Sequence, residues 1–145
     1  MVKYRYVTEV DGINLLFPGQ SLNIEISNPQ KEGVKSVKCL LDTGSDLTTI
    51  PDYVISSLRL NSISTTSVED YEGNVNEEKE IYLAKLFLCN REFDVGIVGT
   101  HAKIGYIGRD ILNQWVILLD GKRELFYVAD KVQDFGVCLD KTVNV

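Results

Sequence analysis

The stretch that decides the fold is VKCLLDTGSDLTTIP, residues 37–51. Apolar residues at 39–41 run directly into Asp42, and a threonine, a glycine, a serine and a second aspartate, Asp46, follow. Ionising a carboxylate at the end of a buried strand is costly. Asp42 therefore either caps a turn that ends the strand or is held there for its chemistry.

A second motif, YIGRDIL, occupies residues 106–112. An Asp-Thr-Gly tripeptide by itself is weak evidence. With ordinary residue frequencies, it arises by chance in roughly a few of every hundred chains of this length. Taken together, LLDTGSDLTTIP and IGRDIL resemble the retropepsins, which are the single-lobed aspartic proteases of retroviruses and their cellular and bacterial relatives. The resemblance covers roughly residues 22–128.

The rest of the chain favours the architecture that this resemblance implies. Short stretches rich in β-branched and aromatic residues alternate with turn signals such as Asp11-Gly12 and Asp120-Gly121, as in all-β domains. PDYVISSL, residues 51–58, begins with the proline typical of a first helical turn. We predict a mostly β chain that folds as a closed, retropepsin-like β-barrel (the acid protease fold) with one or two short helices.

The length of 145 residues suits one domain. The prediction is a single domain over residues 1–145, with an N-terminal extension at about 1–20 and a C-terminal extension at about 129–145. The first residues lack the long apolar core of a signal peptide, and no apolar run approaches the roughly 18 residues of a membrane span. A cytoplasmic location with no membrane partner is the expectation.

The resemblance assigns roles to the residues of the two motifs. Asp42 is implied to be the catalytic carboxylate, and Gly44 and Asp46 are implied to contact the substrate backbone. Thr43 is implied to tie two active-site loops together across a dimer. Arg109 is implied to support the site by pairing with Asp46.

An acidic segment, EDYEGNVNEEKE at residues 69–80, lies between the motifs and occupies the place of the flap. Tyr71, Glu72, Gly73 and Asn74 are implied to form the flap tip, with the first three contacting substrate. The tip departs from the glycine-rich version of the viral members. This segment carries six carboxylates and one lysine, which accounts for most of the net charge of −6.

Aspartic protease chemistry requires a base that activates water and an acid that protonates the carbonyl oxygen. Two adjacent carboxylates that share one proton supply both. The chain contains a single Asp-Thr-Gly, so the second carboxylate must come from another copy of the chain across a two-fold axis. We therefore predict an aspartic endopeptidase that is a homodimer, acts on polypeptides and uses two Asp42 carboxylates, with no cofactor and no metal.

Two other readings compete with this one. The first is a non-enzymatic protein: a non-catalytic dimeric peptide-binding module of the same fold, or a plain structural domain. The second is a nucleotide site, because DTGSDLT loosely resembles the phosphate loop of actin-like ATPases, but those folds need a second lobe that 145 residues cannot supply. The chain has no basic patch for a nucleic acid, and its three cysteines, which lie about fifty residues apart, favour neither a disulfide framework nor a zinc site.

Overall fold

Short strands fill most of the chain, as the sequence predicts. The computed structural model describes residues 1–69 and 72–136, and within them the strands are β1 Val2–Arg5, β2 Val7–Val10, β3 Ile13–Gly19, β4 Ser21–Ser27, β5 Val34–Leu41, β6 Thr49–Pro51, β7 Ser62–Glu69, β8 Val75–Leu88, β9 Arg91–Thr100, β10 Gly105–Ile107, β11 Val116–Asp120 and β12 Leu125–Ala129. The helices are α1 Asp52–Leu58 and α2 Arg109–Leu112, and a 3-10 turn spans Val132–Phe135.

Six strands close into a barrel in the order β4-β5-β10-β6-β9-β8, and β8 pairs back onto β4. The β5–β10 and β6–β9 pairs are parallel, whereas the other pairs of the barrel are antiparallel. The seventh strand, β7, pairs only with β8 and extends that hairpin away from the barrel. The prediction of a mostly β, closed barrel with two short helices is confirmed.

The barrel interior is the core of the protein. Alternate residues point into it, as expected of strands with one buried face: Leu22, Ile24 and Ile26 of β4, and Ala84, Leu86 and Leu88 of β8. Burial raises the pKa of the Cys39 thiol, which lies in this core, to about 12. The buried core side chains are Leu22, Ile24, Ile26, Val37, Cys39, Ile50, Val54, Ile55, Leu58, Leu60, Ala84, Leu86, Leu88, Phe93, Ile97, Ile107, Ile111, Leu112, Phe126 and Val128.

A three-stranded sheet in the order β1-β12-β11 packs against one side of the barrel through Phe126, which is fully buried and stacks on Tyr4. Strands β2 and β3 form a separate two-stranded ribbon. Leu16 and Phe17 on this ribbon are 92% and 77% exposed. The division into a core and terminal extensions stays a prediction, and residues 137–145 lie outside the described residues.

Some boundaries differ from the sequence prediction. Strands β1 and β2 are separated by Tyr6, whose N–H donates to the Glu124 carbonyl. The hairpin expected to turn at Asp120-Gly121 has a longer loop, because the Asp120 carboxylate accepts from the Arg123 N–H and Glu124 adopts a left-handed conformation. Among the described residues, no helix has the length and apolar character needed to cross a membrane.

Candidate active site

Asp42 lies at the point where β5 leaves the barrel. Its N–H donates to the Ile107 carbonyl on the neighbouring strand β10, at 2.9 Å, and its carbonyl accepts from the Ser45 N–H. The carboxylate accepts from the Gly44 N–H at 3.0 Å, and a Cβ at Gly44 would lie 3.3 Å from the same oxygen. A glycine at this position leaves room for the carboxylate to stay half-buried and open to one side.

The loop after Asp42 crosses the turn between β10 and α2 at close range. The N–H groups of Arg109 and Asp110 donate to the carbonyls of Ser45 and Asp46. A Cβ at Gly108 would lie 2.6 Å from the Leu47 carbonyl carbon. Since a backbone atom cannot move aside as a side chain can, only glycine fits at this crossing. The two sequence motifs, far apart in the chain, are thereby locked together.

Arg109 joins the two motifs through its side chain. One guanidinium nitrogen pairs with Asp46, and the other donates to the Thr43 carbonyl at 2.7 Å. The contact between Arg109 and Asp46 is the one that the resemblance implies. The guanidinium divides its donors between a carboxylate and a backbone carbonyl, so it holds both ends of the Thr43–Asp46 segment.

Sequence reasoning missed a second link between the motifs. Thr48 is fully buried, and its hydroxyl donates to the Asp110 carboxylate at 2.8 Å while its N–H donates to the other carboxylate oxygen at 3.0 Å. The same hydroxyl accepts from the Gly108 N–H. Asp110 stands beside Arg109 in the second motif, but nothing in the sequence says that its partner is Thr48 rather than Thr49.

These loops form one wall of an open groove of about 700 Å³. The hairpin of β7 and β8 forms another wall, and the end of β9 closes the groove. Asp42, Gly44 and Asp46 line it, as expected. The full lining is Asp42, Gly44, Ser45, Asp46, Leu47, Thr49, Thr66, Ser67, Val68, Glu69, Lys79, Val98, Gly99 and Thr100.

The residues predicted for the flap tip lie in the β7–β8 hairpin. Glu72 and Gly73 are exposed at its turn, where Gly73 has a φ of 80°. Tyr71 lies outside the described residues. Within the described part of the hairpin, the residues that reach the groove come from the strands rather than from the turn, namely Thr66 to Glu69 and Lys79. Thr43 and Arg109 are not among the residues that line the groove.

The end of β9 is fixed from the side of α1. A Cβ at Gly99 would lie 2.1 Å from an Asp52 carboxylate oxygen, so the strand passes this carboxylate closely enough to require glycine. The other Asp52 oxygen lies 2.7 Å from Nδ1 of His101. The Gly99 carbonyl, on the groove side, accepts a hydrogen bond from the Lys79 ammonium at 3.1 Å.

Comparison with solved structures identifies the architecture. The EIAV protease in complex with the inhibitor HBY-793 aligns with a TM-score of 0.51 and 19% identity, covering 70% of this chain and 91% of that one. The foamy viral protease-reverse transcriptase in complex with an RNA/DNA hybrid aligns with a TM-score of 0.50 and 14% identity, covering 66% of this chain and 12% of that one. The chain has a retropepsin-like fold.

The Simian Foamy Virus (mac) protease aligns with a TM-score of 0.48 and 15% identity, covering 65% of this chain and 92% of that one. No protein-family model matches the sequence, and no curated protein sequence matches it. The retropepsin-like fold therefore emerges from the arrangement of strands, together with two short motifs, and the roles of individual residues have to be argued from their geometry.

Proposed function

We propose that this retropepsin-like protein is an aspartic endopeptidase that works as a homodimer. The observation that carries the proposal is the position of Asp42, whose half-buried carboxylate lines the groove while hydrogen bonds fix the backbone on both sides of it. A carboxylate that served only as a turn cap would not need the second motif locked against its loop.

Peptide hydrolysis by this mechanism needs one carboxyl group as a base and another as an acid. One, ionised, removes a proton from water as it attacks the carbonyl carbon of the substrate, and the other, protonated, donates to the carbonyl oxygen. Two carboxyl groups in close contact cannot both ionise, because their negative charges would repel, so a pair of aspartates holds one proton between them. Among the described residues, Asp42 is the aspartate that follows a buried strand and lines the groove, and its partner is Asp42 of a second copy.

The groove suits an extended peptide. Its walls are strands and loops with exposed backbone, and a peptide that lies between Asp42 and the β7–β8 hairpin can add to them as a further strand. Gly44 and Asp46 lie beside Asp42 on the groove wall and would contact the peptide backbone. Closure of the hairpin over the peptide would exclude water and fix the scissile bond near the carboxylates.

The alternative is a dimeric module of the same fold that binds peptides without cleaving them. It predicts the same groove and the same dimer, and it differs only in the fate of the peptide. The intact Asp-Thr-Gly favours catalysis, since a module that only binds would not need an aspartate at that point.

Mass-spectrometric mapping of a peptide library after incubation with the protein tests the proposal. We expect cleavage with the wild-type protein and none with Asp42→Asn, which keeps the size and most hydrogen bonds of the side chain but removes its charge. Binding without cleavage by the wild-type protein would favour the non-catalytic module. Cleavage that persists in Asp42→Asn would show that another group performs the chemistry.

A further inference from the structure

Lys79 is a cation among carboxylates that it does not pair with. It lies in a segment with glutamates at 77, 78 and 80, yet within the described residues no carboxylate forms an ion pair with it. Glu78 instead accepts from Thr65, and Glu80 accepts from Tyr82. The alternation of a strand explains this for Glu78 and Glu80, which point to the opposite face of β8. Glu77 shares the face of Lys79 but, within the described residues, forms no ion pair with it.

The face of β8 that carries Lys79 is the face that borders the groove. Val98 on β9 lies opposite Ile81 on β8 and opposite Thr49 on β6, and directly opposite residues share a face of the sheet. Lys79 is two residues from Ile81, so it lies on that face as well. Thr49, Val98 and Lys79 all line the groove.

The Lys79 ammonium is held in place by a hydrogen bond but keeps unused N–H donors. It is half-buried, and within the described part of the chain it donates one hydrogen bond, to the Gly99 carbonyl, whereas an ammonium has three N–H donors. Asp52 fixes the end of β9 that carries this carbonyl. Lys79 is also the only cation among the described residues that line the groove, where the anions are Asp42, Asp46 and Glu69.

We infer that Lys79 is a specificity-determining residue, which selects an acidic side chain of a peptide substrate. The inference rests on the proposed function, since it places a peptide in the groove. A glutamate or aspartate side chain only accepts hydrogen bonds, and a partly desolvated ammonium with spare donors is the matching partner. In a homodimer the two Lys79 side chains are related by the two-fold axis, so the preference applies at two substrate positions placed symmetrically about the scissile bond.

Peptide binding is the direct test, because it does not depend on cleavage. The Asp42→Asn protein is incubated with a peptide library in which each peptide position carries Glu, Gln or Lys. The peptides that stay bound to the protein are identified by mass spectrometry. We expect Glu to be enriched over Gln by about tenfold at two symmetric positions. Raising the salt concentration is expected to reduce the enrichment.

Variants of Lys79 identify the cause of the preference. In the Asp42→Asn background, Lys79→Met is expected to abolish the enrichment, Lys79→Arg to retain it and Lys79→Glu to move it towards Lys. Lys85→Met is the matched control, because Lys85 lies on the same strand and the same face but pairs with Glu92 and Asp94. Melting temperatures confirm that each variant is folded.

The outcomes separate this inference from the proposed catalysis. An absence of any Glu preference, retention of no peptide at all, or a preference that survives in Lys79→Met would each overturn the role of Lys79. Binding with the expected preference, but no cleavage by the protein that retains Asp42, would leave that role intact and overturn the proposed protease activity. Cleavage without a preference for Glu would support the proposed protease activity and overturn the role of Lys79.

Discussion

At the scale of single residues, two adjacent threonines differ in the hydrogen bonding of their hydroxyl groups. The Thr48 hydroxyl is bonded to Asp110 and Gly108, whereas the buried Thr49 hydroxyl has no hydrogen-bond partner in the described part of the chain. Removing a bonded hydroxyl leaves its partners unsatisfied, and removing an unbonded one does not. This contrast gives a matched pair of substitutions with the same change of atoms.

We expect Thr48→Val to lower the free energy of unfolding by about 1–3 kcal/mol, because the Asp110 carboxylate and the Gly108 N–H lose a partner. Thr49→Val is expected to leave it within about 0.5 kcal/mol of the wild type or to raise it slightly. Urea unfolding of both variants measures the difference. Equal losses in the two variants would contradict the hydrogen-bond assignment.

We expect Arg109 to affect the proposed activity more than stability. Its side chain is 39% exposed and that of Asp46 is 87% exposed, so solvent screens the ion pair. We expect Arg109→Ala to lower the free energy of unfolding by no more than about 1 kcal/mol. Peptide cleavage is expected to fall by about tenfold or more, because the Thr43–Asp46 segment loses its clamp and a small displacement of reacting groups is costly.

The exposed Arg123, in the loop between β11 and β12, provides the control for this substitution. Arg123→Ala removes the same side chain from a surface position whose carboxylate contact, at 3.7 Å to Asp120, is far weaker. It is expected to leave both stability and cleavage unchanged. A full rate of cleavage by Arg109→Ala would refute the clamp.

At the scale of elements, β8 has two parts with different support. Residues 81–88 pair with β9 throughout, and residues 85–87 also pair with β4 inside the barrel. Residues 77–80 pair only with β7, and β7 itself is mostly exposed. Stability within a protein follows this kind of local support, so the hairpin can open while the barrel stays closed.

Hydrogen exchange tests that expectation. We expect the amides of residues 77–80 to exchange faster than those of residues 84–88, because opening the hairpin breaks no core contact. Adding a peptide that the Asp42→Asn protein binds is expected to slow hydrogen exchange in the β7–β8 hairpin more than in the barrel. Uniform protection along β8 in the free protein would count against a hairpin that opens as a unit.

At the scale of the whole molecule, the proposed chemistry makes activity depend on assembly. A monomer would carry half a site, so specific activity is expected to fall on dilution. An excess of Asp42→Asn chains added to the wild type is expected to suppress cleavage, because hybrid dimers hold one ionisable carboxylate. Dilution-independent cleavage by a protein that sediments as a monomer would rule out the shared site.

The β2–β3 ribbon is the surface where we expect the second copy to lie. Leu16 and Phe17 expose large apolar surfaces, and Gln20, three residues after Phe17, accepts from the Leu41 N–H just before Asp42. Three extended residues span roughly 10 Å, so Phe17 lies near the point where two copies of Asp42 would meet in the proposed dimer. Phe17→Ser is expected to weaken dimerisation in sedimentation experiments, and Phe87→Ser, also exposed but on β8 near the β4 pairing, is the control.

The sequence by itself predicted the strand content, one or two short helices and the candidate aspartate, because those follow from local patterns: alternation along a strand, proline at a helix start, and Asp-Thr-Gly after an apolar run. It also supplied the second motif. Only the tertiary structure decided that Thr48 rather than Thr49 holds Asp110, that Gly108 must be glycine, and that the face of β8 carrying Lys79 borders the groove. Each of these depends on which residues meet across strands that are distant in the chain, and a linear pattern carries no information about such contacts.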